Sequence, residues 1–102
     1  MGKKETDYQS ELIKRIRFRF SGCFILKNDE QYCQGIPDLT IFYGSQYAIL
    51  EVKRSLEEIF KQTQPNQSYY INMFNNMGGI ADYICPENEE EVLDALQRAF
   101  EC

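Results

Sequence analysis

With 102 residues, 43% hydrophobic and 14% aromatic, the chain holds enough apolar material for a real core, and residues 1–102 are expected to form one domain. Its apolar runs fall far short of the roughly 18–20 residues that span a bilayer, and "MGKKETDYQS" contains no apolar signal region, so a soluble, cytoplasmic protein without a membrane partner is expected. A net charge of −5 speaks against a polyanionic partner, but residues 1–54 carry nine Lys/Arg against seven Asp/Glu and residues 55–102 two against nine, so a nucleic acid could meet the first half alone.

There is no histidine, which removes Ser-His-Asp and Cys-His hydrolysis and nucleases with a histidine base. Catalysis would have to use carboxylates, lysine, tyrosine or a metal. The cysteines at 23, 33, 85 and 102 form no Cys-x-x-Cys pair, so no structural zinc site is expected, and Cys23 and Cys85 read as small buried hydrophobes.

From Thr6, the segment "TDYQSELIKRIRFRF" places Leu12, Ile13, Ile16 and Phe20 at helical spacing, with Thr6 and Gln9 as a capping box. "GCFILKN" reads as a short buried strand, and the polar loop "DEQYCQG" leads to Pro37. "DLTIFY" and "YAILEVK" then form a hairpin around Gly44 and Ser45. Pro65 suits the first turn of a helix whose apolar face holds Tyr69, Tyr70, Met73, Phe74 and Met77 until Gly78-Gly79 ends it. "IADYIC" is a strand, and "NEEEVLDALQRAF" is a helix burying Val92, Leu93, Leu96 and Phe100. The order α-β-β-β-α-β-α predicts a single α/β domain.

A two-residue turn at Gly44 and Ser45 sets Tyr43 opposite Gln46 and Asp38 opposite Glu51. One face then carries Asp38, Thr40, Phe42, Ile49, Glu51 and Lys53, the other Leu39, Ile41, Tyr43, Ala48, Leu50 and Val52. A four-residue loop preserves this division of faces, whereas a three-residue loop destroys it. Two carboxylates about 5 Å apart need a positive charge, which Lys53 supplies in part and a divalent cation more fully. The same charges also suit an ordinary edge hairpin with solvated ends, although Glu51 follows four apolar residues and so sits deep for an ornament.

The set Gly35-x-Pro37-Asp38, Glu51-Val52-Lys53 and Gln67 on the next helix resembles the PD-(D/E)XK nuclease superfamily, above all the compact stand-alone VRR-NUC domains of phages and bacteria. The likeness runs from about Tyr8 to Cys85. It implies a restriction-endonuclease-like fold, with a central mixed sheet flanked by helices, and a structure-specific DNA endonuclease acting on branched, flapped or Holliday-junction-like DNA. It further implies Mg²⁺ or Mn²⁺ held by Asp38, Glu51 and the Val52 carbonyl, with Lys53 orienting the attacking water, and a 5′-phosphate product. Glu11 would match the acidic residue of the family's first helix, though Lys14 and Arg15 also suit it for a surface ion pair. Gln67 would support the lysine or the scissile phosphate.

Lys14, Arg15, Arg17, Arg19, Lys27, Arg54 and Lys61 are candidate phosphate contacts, equally readable as solvated cations, and Ser55 is a candidate phosphate contact or a solvated loop residue. Tyr69 and Tyr70 could stack on bases or pack in the core. A non-catalytic nucleic-acid-binding or interaction module on the same fold is the alternative, and an acidic tail that mimics DNA or recruits a partner a weaker one. The small size suggests a homodimer.

Overall fold

The computed structural model describes residues 4–61 and 65–101, with side chains for all of these except 65–67. The elements run α1 (Glu5–Arg19), β1 (Phe24–Lys27), β2 (Leu39–Tyr43), β3 (Gln46–Val52), α2 (Leu56–Lys61), α3 (Pro65–Asn76), β4 (Ile80–Ile84) and α4 (Glu89–Glu101). The strands lie side by side in chain order: β1–β2 and β2–β3 are antiparallel, and β3–β4 are parallel across the helical connection, which makes a mixed sheet.

The hairpin register matches the sequence expectation, with Tyr43 opposite Gln46 and Leu39 opposite Leu50. Gly44 has φ 62° at the first central position of the turn, the sign a two-residue II′ hairpin needs there. Alternation then sends Leu39, Ile41, Ala48, Leu50 and Val52 to the face covered by α1 and α4. The opposite face places Ile49 and Ala81 with Ile71 of α3. Leu12 and Ile16 are fully buried, at about 1.5–3 kcal/mol each, so they fix how α1 lies on the sheet and where its first turn emerges.

Several expectations change. The α1 N-cap is Lys4, without a side-chain cap; Lys4 O accepts the Tyr8 N–H at 3.0 Å, so Thr6 lies inside the helix and the Thr6–Gln9 capping box does not form. The strand β1 is at the sheet's edge instead of being buried, with Phe24 and Leu26 exposed. Helix α2 was missed, although "SLEE" is a cap signature: Ser55 Oγ accepts the Glu58 N–H at 3.2 Å. In α3, Ile71 and Phe74 face the sheet while Tyr69 and Met77 are exposed. Cys85 is buried as expected and Cys23 only half-buried. No helix among the described residues is long and apolar enough to cross a membrane.

Helices α1 and α4 are tied by charge as well as by apolar packing. Arg15 grips Glu89 through Nε at 2.6 Å and a second nitrogen at 2.8 Å, and Tyr8 donates its hydroxyl to the same carboxylate at 2.9 Å. Arg19 pairs with Asp94 and donates to Gln97 at 3.0 Å. Burial alone would raise the Glu89 pKa, but the hydrogen bonds from Arg15 and Tyr8 outweigh it and hold the carboxyl below its ordinary 4.5. Glu89 therefore contributes stability that is present above about pH 4.5 and is lost as pH falls through its depressed value. Glu89→Gln should lower unfolding stability at pH 7 by about 1 kcal/mol, a figure reduced for the exposure of Arg15. Urea titration across pH 3–7 should show that difference shrinking toward the acid end.

Candidate active site

Asp38 sits just ahead of β2, at the end of a loop built to place it. Gly35 is buried with φ 84°, a conformation that L side chains rarely adopt, and Pro37 is fully buried. Asn28, which the sequence analysis passed over, braces this entry: its N–H bonds the Asp38 carbonyl at 2.8 Å, and its amide bonds the Pro37 carbonyl at 2.8 Å and Thr40 Oγ1 at 2.9 Å. Asp38 Oδ2 then accepts the Val52 N–H at 2.8 Å, so the carboxylate replaces a ladder partner at the end of the hairpin. Continuing the register from Leu39–Leu50 sets Asp38 directly opposite Glu51.

Glu51 is 5% exposed and Lys53 8%, which removes the reading of a solvated hairpin end. Lys53 Nζ stands 3.5 Å from Glu51 Oε2, while its N–H continues the parallel ladder to the Ile84 carbonyl at 2.8 Å. Burial first, and the Asp38 charge second, push the Glu51 pKa up to about 8, with Lys53 opposing. Burial also raises Asp38, against the Val52 N–H and a hydrogen bond from Glu51, which lower it. Both carboxyls are thus pushed up, so the pair resists full ionisation at neutral pH.

The first helix adds an acid, but a different one from that expected. Glu5 is half-buried, and its pKa is raised by burial and then by Asp38 and Glu58, with Lys53 and Arg54 pulling the other way. Glu51 in turn feels Glu5. Glu11 lies 3.8 Å from Arg15, beside the Glu89 tether. Six residues separate the two acids, which is about 120° around the helix and about 9 Å along it, so one helix cannot aim both at one spot. A signal for Glu5 existed: it stands three residues before Tyr8 and seven before Leu12, on the buried stripe.

Ser55 is spent as the α2 cap. Among the candidate cations, Arg15 and Arg19 bind α4, Arg54 pairs with Glu58 at 2.9 Å, and Lys61 with Glu57 at 3.1 Å. Lys14, Arg17 and Lys27 are exposed. Tyr70 shares a hydrogen bond with Cys33 Sγ at 3.0 Å and stacks on Phe74, so it serves packing of the 28–38 loop against α3. Gln67 falls within α3, with its side chain outside the described residues.

Among the described residues no three acidic or thiol side chains stand as a ready-made metal cage. The donor set does suit a hard cation that keeps several waters: two opposed carboxylates whose pKa values burial raises, with Glu5 nearby.

No family model matches the sequence, and no curated protein is significantly similar to it. A solved structure described as a VRR_NUC domain protein matches the fold with a TM-score of 0.70, over 99% of this chain and 91% of that one, at 16% identity. The expected fold class is therefore shown: a mixed four-stranded sheet flanked by helices, on the architecture of a VRR_NUC domain.

A carboxyl raised by folding contributes stability that is fully present below its unfolded pKa and is lost as pH rises through its folded one. The metal-free protein should accordingly lose thermal stability between about pH 4.5 and about pH 8, and Glu51→Gln should flatten that slope. Melting curves in a chelator at stepped pH check this; an equal slope in the variant would remove Glu51 from the account.

Proposed function

We propose that this chain is a VRR-NUC nuclease, a Mg²⁺- or Mn²⁺-dependent endonuclease acting on branched, flapped or junction DNA. The observation that carries the reading is the opposition of Asp38 to the buried Glu51 across the hairpin, with the buried Lys53 ammonium 3.5 Å from Glu51. The fold likeness to a VRR_NUC domain protein supports it.

In this reading Asp38, Glu51 and the Val52 carbonyl hold the cation, with Glu5 in support in place of Glu11. A cation there would polarise the scissile phosphate and make the attacking water more acidic. Lys53 orients that water and stabilises charge developing on the phosphate, and its burial beside Glu51 holds the ammonium at the site. Asn28 and Val52 keep Asp38 from rotating away. Gln67 supports the lysine or the phosphate, and Arg54, beside the site, exchanges Glu58 for substrate phosphate.

The molecule measures 33 × 30 × 23 Å, close to one turn of duplex at about 34 Å. A body of that size reaches one DNA arm, which supports a homodimer with two sites for a branched substrate.

With Mn²⁺ and a flapped or four-way DNA, the wild-type protein should release product, and Asp38→Ala or Lys53→Ala should slow it roughly 100-fold or more. Binding without product in either metal would leave the non-catalytic module as the function. Calorimetry of Mn²⁺ binding near pH 7 in two buffers should report release of about one proton, because the cation displaces the one held by Glu51. Light scattering should give twice the 12.0 kDa chain mass, and full activity in a monomer would remove the dimer.

A further inference from the structure

The two edges of the sheet are finished differently. On β4, the backbone groups of Ala81, Tyr83 and Cys85 point away from β3, because those of Ile80, Asp82 and Ile84 serve the parallel ladder. Side-chain and loop groups close every one of them. Asn75 binds Ala81 twice, accepting its N–H at 2.8 Å and donating to its carbonyl at 3.0 Å. Asp82 accepts the Tyr83 N–H at 2.7 Å, while Asn88 donates to the Tyr83 carbonyl at 3.2 Å and accepts the Cys85 N–H at 2.8 Å. The Cys85 carbonyl accepts the Asn88 N–H at 3.2 Å. No further strand can add to this edge without displacing Asn75, Asp82 and Asn88.

The β1 edge is open. The Asn28 N–H bonds the Asp38 carbonyl, so Phe24, Leu26 and Asn28 turn their backbone groups to β2, and those of Ile25 and Lys27 point outward. No group among the described residues bonds them. An extended strand is what such an edge accepts, and the register of β1 suits its own copy. Two copies run antiparallel with Leu26 opposite Leu26 set Ile25 opposite Lys27 on both sides, and four bonds then satisfy every outward N–H and C=O. The exposed Leu26 side chains would meet across the axis, with Phe24, 61% exposed, on the diagonal. Each Lys27 faces an isoleucine and not a like charge. The two lysines lie on a diagonal of about 7–8 Å, where their exposure lets solvent screen them.

We propose that two copies of this chain join through β1, paired antiparallel about Leu26, so that their sheets run on as one. The pairing stands apart from the nuclease reading and gives the homodimer of that reading its interface. Its two-fold axis is perpendicular to the sheet, which leaves both Asp38–Glu51 sites on the same face. Three strand spacings of about 4.8 Å across the sheet and four residues of about 3.3 Å along it put the two Asp38 positions about 20 Å apart. Action of those sites on two strands of one branched substrate rests on the nuclease reading above.

Sedimentation of the full chain over a dilution series should show a dimer at about 100 μM. Lys27→Pro should weaken it about ten-fold or more, because it removes an outward donor on each copy and none that serves β2. Lys27→Ala, which keeps the N–H, should leave the dimer intact. Hydrogen exchange reads the same edge without a substitution: the Ile25 and Lys27 amides should be protected in the dimer and exchange freely on dilution, while the Ala81, Tyr83 and Cys85 amides stay protected throughout. A wild-type monomer at about 100 μM overturns the pairing. So does a dimer in which the Ile25 and Lys27 amides exchange freely, since the copies then meet elsewhere, or a monomer whose β1 amides are protected only by an added extended peptide. A dimer that Lys27→Pro dissociates, with no DNA cut by the wild type in Mn²⁺, would sink the nuclease reading and leave the interface standing.

Discussion

The register of the β2–β3 hairpin is the constraint on which the candidate site depends. Gly44 and Ser45 close the hairpin in two residues, and the pairing of Leu39 with Leu50 that follows sets Asp38 against Glu51. A slip of one residue would turn Leu50 and Val52 out of the α1–α4 core and send Glu51 into it. Burial of the aliphatic face and opposition of the carboxylates are therefore one choice: the energy that holds the core holds the two acids together.

Holding them is unfavourable in itself. Burial and mutual repulsion push both carboxyls up, and the Lys53 ammonium offsets only part of that. The surrounding structure over-determines the arrangement, through Gly35 and Pro37 on one side, Asn28 beneath and the Val52 N–H in front. In the proposed nuclease a cation bound between them would relieve that repulsion.

The cations show the opposite economy. Arg15, Arg19 and Arg54 of the first half, like Lys61 of the second, are bound to acids of α4 or α2, so part of the basic character visible as a run in the sequence is neutralised inside the fold. The open surface on the site's face is apolar and aromatic instead, with Phe24 and Phe42 exposed.

Local patterns in the sequence determined the period-2 strands, the Gly-Ser turn, the Pro-to-Gly limits of α3 and the opposition of Asp38 and Glu51 with Lys53 on the same face. All of these follow from neighbours a few residues apart, where alternation and turn geometry act directly. Only the tertiary structure decided that Glu5 feels the Asp38 charge while Glu11 lies beside Arg15, that β1 lies open at an edge, and that Arg15 belongs to Glu89, 74 positions away. Those outcomes depend on how α1 docks across the sheet and on what α4 presents to it. No spacing within one segment encodes a docking angle between two, and a charge along the chain does not reveal which distant partner will neutralise it.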